Sequence, residues 1–355
     1  MHACIHHCSK YYPVCAPSIL VYIYAVQSAS FLRGLAVMKY WVGVTDRDWF
    51  DQLSSLRPDE VNFWQPSGRP PFTSAPVGMP FLFKLKYPVN AIVGGGFFVA
   101  FSRLEPRMVW DTFGDRNGCR SFPEMVARIG GLRRAARPDD QIGCTVLANP
   151  FFLSPANWIP DPQGFSRNIV VGKGYDTESG DGRVLWDRVV AAMALQDSLT
   201  PAAQDGLILP PGTLRTPVTP ESRYGAPTLV QPRLGQGAFK VLVTDAYQRR
   251  CAITGENTLE VLQAAHIYPF AQGGPHEITN GMLLRMDFHK LFDEGLVTVD
   301  PDYRVHVSDR IRQKYYNGKA YYRLDNQPLA VLPDNPSLRP ARDRLDWHYN
   351  NVFLR

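Results

Sequence analysis

Short runs of alternating apolar and polar positions mark the chain from Lys39 to about Trp158. The segments YWVGVT (40–45) and FLFKLK (81–86) alternate with period two, the signature of half-buried strands. NAIVGGGFFVAF (90–101) holds two apolar runs broken by three glycines, which predicts a bulge or a close backbone approach. CTVLANPFFL (144–153) is a further strand candidate. Helical spacing appears in DRDWFDQLSSL, where Trp49, Phe50, Leu53 and Leu56 recur on one face. SFPEMVARIGGL predicts a second helix, with Ser121 as N-cap and Gly130 as stop. GRVLWDRVVAAMALQ (182–196) predicts the helix that closes this segment. Short strands with few helices point to a small β-barrel with decorations.

Periodicity then disappears. Seven prolines fall between Pro201 and Pro232, so residues 197–232 are expected to be an extended, semi-rigid linker. A new pattern begins near Arg233. Phe239, Leu242, Val243 and Ala246 share a helical face. VLQAAHIYPF and NGMLLRM predict two strands, and DFHKLFDEG a short helix capped by Asp287 and stopped by Gly295. LVTVDPDYRVHVS reads as a hairpin. The expected architecture is therefore α+β in two domains, 38–196 and 233–355.

Composition narrows the class. The 355 residues are 45% hydrophobic and 20% charged, as in ordinary globular chains. The formal charge of +5 permits a nucleic-acid partner without requiring one. Six cysteines, with no paired CxxC motifs, argue against a zinc ribbon or a disulfide framework and favour a reducing, cytoplasmic setting. Residues 19–37 are apolar but interrupted by Gln27, Ser28, Ser30 and Arg33, which makes a poor membrane span. Translation is expected to begin at Met38, leaving residues 1–37 an uncertain extension.

Candidate chemistry lies in HIYPFAQGGPHEITNGMLLRMDFHKLFDEG (266–295), with His266, Asn280 and His289 separated by 14 and 9 residues. On the expected helix, His289 and Asp293 share a face at i and i+4, a neutral imidazole and a carboxylate suited to a divalent metal. Each of these residues alone has a plain structural reading: His266 a structural histidine, Asn280-Gly281 a turn, His289–Asp293 a solvated helix pair. His276 reads as a loop histidine, His306 as a strand residue, His348 and Cys251 as structural.

The motifs RRCAITGE, AAHI, NGMLLRMDFHKLFDEGL and LDWHYNNVF, with RLGQGAFKVLVTDAY, occur together over residues 233–355. In that order they resemble the HNH (ββα-metal) nucleases, in the subgroup found at the C-termini of restriction endonucleases. The resemblance implies two strands and a helix around one metal ion, Mg²⁺ or Mn²⁺. It implies His266 as general base, Asn280 as the residue that fixes the loop, and His289 as metal ligand with Asp293 as the second. It also implies cleavage to a 5′-phosphate and a 3′-hydroxyl. Ala265 departs from the pattern, because many relatives carry an acidic residue or histidine there. The missing ligand can come from Asp287, from another residue, or from DNA phosphate and water. Arg249, Arg250, Arg285 and Lys290 flank the site as candidates for DNA-backbone contact.

The first segment, through YWVGVTD, VNFWQPSG and GMPFLFKLKYPVNAIVGGGFF, resembles PUA-superfamily barrels of the EVE or ASCH type. That resemblance implies a pocket for a flipped, modified base such as 5-methyl- or 5-hydroxymethylcytosine. Trp41, Phe63, Trp64, Gln65, Phe97 and Phe98 are the pocket candidates, and most rings in a chain with 12% aromatics are core. Arg128, Arg133, Arg134 and Arg137 are candidates for gripping the backbone around it. Double-stranded DNA is the expected partner and a homodimer the expected assembly, with no membrane. Two alternatives stand beside this reading: a nickase or toxin without modification dependence, and a non-catalytic DNA-binding module.

Overall fold

A computed structural model describes residues 37–72, 74–132, 141–166, 168–178, 180–199 and 234–355. The expected N-terminal extension, the proline-rich linker, Arg133, Arg134 and Arg137 lie outside the described residues. Contacts divide the chain into two compact units. The larger comprises Lys39–Phe152, Trp158–Tyr175 and Gln231–Arg355, and so takes in strand-rich and candidate nuclease segments together. The smaller includes Leu153–Asn157 and Asp176–Val230 and carries one long helix, Gly180–Leu199.

The strand-rich half of the larger unit is a mixed sheet. Its strands are β1 (Lys39–Thr45), β2 (Glu60–Gln65), β3 (Pro80–Leu85), β4 (Ala91–Leu104), β5 (Ile142–Phe152), β6 (Ile159–Pro160) and β7 (Gly172–Asp176). The order is β2-β5-β4-β3-β1-β7, with β6 paired to β4. β1 and β3 run parallel; β3–β4, β4–β5 and β2–β5 are antiparallel. The expected closed barrel is not what the pairing gives: among the described residues β2 and β7 end the path without pairing to each other. The fold is mixed α+β, as the periodicity predicts.

The three glycines of β4 do what their spacing implies. A Cβ on Gly94 would sit 2.2 Å from the Phe151 carbonyl oxygen, and the register against β5 shifts between Gly95 and Phe97. Helix α1 (Arg47–Leu56) buries Trp49, Phe50 and Leu53 on one face of the sheet, and Asp46 caps it through Trp49 N. On the other face lie α2 (Pro106–Phe113) and α3 (Phe122–Leu132). Ser121 accepts from Glu124 N as expected, but Gly130 does not end α3, which runs on to Leu132.

The C-terminal half supplies α5 (Gln236–Ala246), numbered after α4 (Gly180–Leu199). Then come β8 (Leu262–His266), β9 (Gly281–Arg285) and α6 (Met286–Asp293). β8 and β9 pair antiparallel with His266 opposite Gly281. Phe288 and Phe292 bury one face of α6 in a core shared with Met282, Leu283 and Leu284. Gly295, with φ of 67°, ends α6 as expected. Asp287 does not cap the helix: it sits in the first turn, one residue inside the start at Met286. The expected hairpin is β10 (Val297–Val299) with β11 (Val305–Val307). The chain finishes with α7 (Arg310–Tyr315), α8 (Lys319–Tyr322) and α9 (Arg342–Asn351). Among the described residues no helix is long and apolar enough to cross a membrane.

One helix joins the two halves of this unit. Glu60 on β2 is wholly buried and accepts from Gly237 N at 2.6 Å and Ala238 N at 2.8 Å, at the start of α5. Arg116 donates to the same carboxylate. The carboxylate thus meets both the unpaired amides and the positive end of the helix dipole. Burial pushes the Glu60 carboxyl up, opposed by Arg116 and the two amides. Beyond the far end of α5, Arg249 donates to Ser102 Oγ at 3.1 Å and to the Arg103 carbonyl at 2.7 Å on β4.

Candidate active site

The loop between β8 and β9 folds around Asn280. Its side chain is buried; Oδ1 accepts from Tyr268 N at 2.9 Å, and Nδ2 donates to Tyr268 O and Pro275 O at 3.0 Å each. Three hydrogen bonds from one amide thus fix both ends of the loop that leaves His266. Asn280→Ala removes all three and leaves buried backbone groups unpaired. We expect a loss of about 2–4 kcal/mol in urea denaturation; a change under about 0.5 kcal/mol would mean that the loop holds without it.

His266 ends β8 half-buried, stacked on Phe239 of α5 with ring centroids 4.0 Å apart and planes at 11°. Its Nε2 lies 3.0 Å from Nδ1 of His276. Sequence alone assigned His276 no part in the site. Nothing in the local pattern foretells the contact, because it depends on the fold of a loop fixed by Asn280. Burial, reinforced by His276 and His289, pushes His266 down to about 4. At neutral pH the ring is therefore a free base. The two rings share one hydrogen bond between these nitrogens, and in the tautomer where His266 donates from Nε2 its Nδ1 lone pair is free to accept.

His289 and Asp293 lie on α6 as the spacing predicts, with Nε2 and Oδ2 3.5 Å apart. His289 Nδ1 is 2.7 Å from Gln263 Oε1 on β8. An amide oxygen can only accept, so the imidazole proton sits on Nδ1 and the Nε2 lone pair faces the carboxylate. Burial pushes His289 down, opposed by Asp293. Two acceptors facing each other without a proton between them fit a divalent cation, and Gln263 fixes the tautomer as a supporting shell does at metal sites. Asp287 does not join them: Arg285 holds it bidentate at 2.7 and 2.8 Å. This ion pair and hydrogen bond keep its carboxyl below the usual range despite burial. Among the described residues no three His, Cys, Asp or Glu side chains converge as a complete ligand set. The two donors on α6 leave the remaining coordination positions to phosphate or water.

The other candidates scatter. Arg249 is committed to β4, Arg285 to Asp287, and Lys290 to Glu294 at 2.6 Å. Arg250 donates to the Gly255 carbonyl at 3.3 Å. Arg128 sits among Asp46, Asp48 and Glu124. Strand alternation splits the expected base pocket. Phe63 enters the core with Phe81 and Phe83, whereas Trp64 points to the opposite face and donates to Asn117 O at 2.9 Å. Phe97 and Gln65 are buried. Trp41 and Phe98 share one neighbour, each lying edge-on to Phe72. The Trp41 indole N–H is buried and has no partner among the described residues.

Elsewhere His348 is locked in the core between Thr298 and the Phe292 carbonyl, and burial pushes it down to about 4. An unfolded histidine titrates near ~6.5. The folded chain therefore refuses protons at His266 and His348 that the unfolded chain takes up. Stability is complete above about pH 6.5 and is lost as pH falls towards about 4. Melting temperatures recorded across that window should decline steadily; a flat profile would contradict the burial of these rings.

Residues 251–300 match a model of the HNH endonuclease family. The matched stretch contains His266, Asn280, His289 and Asp293, so the chain carries an HNH endonuclease unit and is a nuclease. No curated protein matches the chain. Among solved structures, an ASCH protein from Zymomonas mobilis is similar at 8% identity and a TM-score of 0.31, covering 42% of this chain and 94% of its own. A modification-dependent restriction endonuclease, TagI, is similar at 13% identity and a TM-score of 0.24, covering 84% of this chain and 78% of its own.

Proposed function

We propose that the HNH unit hydrolyses DNA phosphodiesters and that the strand-rich half selects the target by a modified base. The observation that carries the first part is the pairing of a free-base imidazole at His266 with the His289–Asp293 donor pair on the neighbouring helix. Both sit beside β8: His266 ends that strand, and His289 bonds its Gln263. His266 Nδ1 takes a proton from the attacking water. The water oxygen bonds to phosphorus, the phosphorus–O3′ bond breaks, O3′ takes a proton from a solvent water, and a 5′-phosphate and 3′-hydroxyl result. His276 accepts from His266 Nε2, holds the ring in its basic tautomer and shares the charge of the imidazolium that forms. Asn280 keeps both histidines in place. His289 and Asp293 would hold Mg²⁺ or Mn²⁺, and such an ion, when bound, neutralises charge building on the phosphate.

The second part is supported by Trp41. A buried indole N–H without a partner costs stability, and an acceptor on a base edge would satisfy it. Gly172 packs its backbone close against that ring, where a Cβ would lie 2.5 Å from Nε1, so a base reaches the N–H only if this contact opens. Trp41, Phe72 and Phe98 supply the apolar walls. The proposed role is restriction of foreign DNA, with a homodimer to cut both strands. The test is cleavage of one plasmid sequence carrying cytosine, 5-methylcytosine or 5-hydroxymethylcytosine, with Mg²⁺ or Mn²⁺ and with chelator. Cutting of one modified form alone is expected. Equal cutting of all three would overturn the reader, and cutting undiminished by chelator would overturn the metal.

A further inference from the structure

The turn between α7 and α8 has a composition that neither the hydrolytic site nor the sheet accounts for. From Arg310 to Arg323 there are five cations, four tyrosines and no acidic residue. Arg312, Tyr316, Asn317, Lys319, Tyr322 and Arg323 line an open cleft of about 590 Å³. Among the described residues none of its three cations has an ion-pair partner. Arg312 instead lies over the Tyr322 ring, 4.5 Å from its centroid.

Tyr316 is the unusual member. It is 91% exposed, and its φ of 52° puts a bulky aromatic residue in the left-handed region. That conformation is uncommon for a bulky side chain; here it ends α7, with Tyr316 N donating to the Arg312 carbonyl. Gly318, at φ of 109°, completes the turn, and a Cβ there would lie 2.8 Å from Ile311 Cγ2. The end of α7 thus leaves this ring in water at the mouth of a positive cleft.

We propose that this cleft binds an unpaired nucleotide of the DNA substrate: phosphate on Arg312, Lys319 and Arg323, base stacked on Tyr316. A paired duplex hides the faces of its bases and offers phosphates and groove edges only. A fully presented ring is useful where a base face is free, and stacking on it tolerates any base. Asn317 supplies both a donor and an acceptor for a base edge. The cleft volume falls within the range of sites for single small molecules. Tyr321, beside Tyr322 in the chain, packs edge-on against Phe288, the residue before His289. The helix that lines the cleft thus packs on α6, the helix that carries His289 and Asp293. The assignment rests on the nuclease reading, since it makes the occupant DNA.

The test uses the full chain in chelator, where binding is read without cutting. Fluorescence anisotropy compares a labelled single-stranded oligonucleotide, the intact duplex of the same sequence, and that duplex with an internal single-stranded gap. Tyr316→Asn suits the left-handed backbone and keeps the fold. It should weaken single-strand and gapped binding by roughly 5- to 100-fold and leave duplex binding unchanged. Arg323→Gln should lower the salt dependence of single-strand binding by about 0.7 in the log–log slope. Equal weakening on all three probes, or no weakening on any, overturns the proposal. Failure of the nuclease reading looks different: Tyr316→Asn would still discriminate the probes, while wild-type protein with Mg²⁺ or Mn²⁺ cuts none of them.

Discussion

Glutamine or alanine at position 266 is expected to slow strand scission by about 10²–10⁴-fold, the range supplied by one positioned base. The two substitutions differ in their second effect. Alanine uncovers the face of Phe239 on which the imidazole lies at 4.0 Å, so it should also lower the melting temperature. Glutamine keeps a polar group beside His276 and should leave stability nearly intact. Cutting measured with both, alongside melts, separates chemistry from packing. A glutamine variant that cuts near the wild-type rate would remove His266 from the mechanism. In the wild type, the acid limb of kcat/KM follows the free enzyme's base. It should lie near about 4, well below that of an ordinary histidine, because burial disfavours the cation.

Glu60→Ala should be the most destabilising single change, at about 3–5 kcal/mol. It strands the Arg116 guanidinium in a partly buried place and leaves Gly237 N and Ala238 N without their acceptor. Typical domains have only about 5–15 kcal/mol in total. Glu60→Gln retains one carbonyl oxygen for the helix but presents an amide to the second N–H, so an intermediate loss is expected. Urea denaturation reads both, and losses within about 1 kcal/mol of wild type would show that water replaces the carboxylate. Cutting at low temperature should fall too, because the displaced helix carries Phe239, the platform under His266.

Much of the nuclease half was legible in its sequence. The strands around His266 and Asn280, the helix with its His289–Asp293 pair and the stop at Gly295 follow from local periodicity, side-chain spacing and turn chemistry. The role of His276 was not legible, because its meeting with His266 is made by a loop whose path Asn280 sets from within. In the sheet, period two is visible, and it already separates Phe63 from Trp64, because adjacent strand residues face opposite ways. The parallel pairing of β1 with β3 joins segments far apart in the chain, beyond any local signal. The same holds for Glu60, whose partners lie 177 and 178 residues away. A trace of it does survive at the helix start: a Cβ on Gly237 would sit 2.6 Å from the Glu60 carboxylate, so the glycine records the approach.

The buried carboxylate at the head of α5 limits how such a chain can be rearranged by recombination. A crossover in the proline-rich stretch would hand the nuclease half to a foreign strand-rich partner lacking Glu60, Arg116 and the Ser102 hook. The orphaned helix would then loosen the imidazole it supports. Productive chimaeras should be those whose donor brings an acidic residue at the matching strand position, so change here should come by substitution within the resident sheet rather than by wholesale exchange.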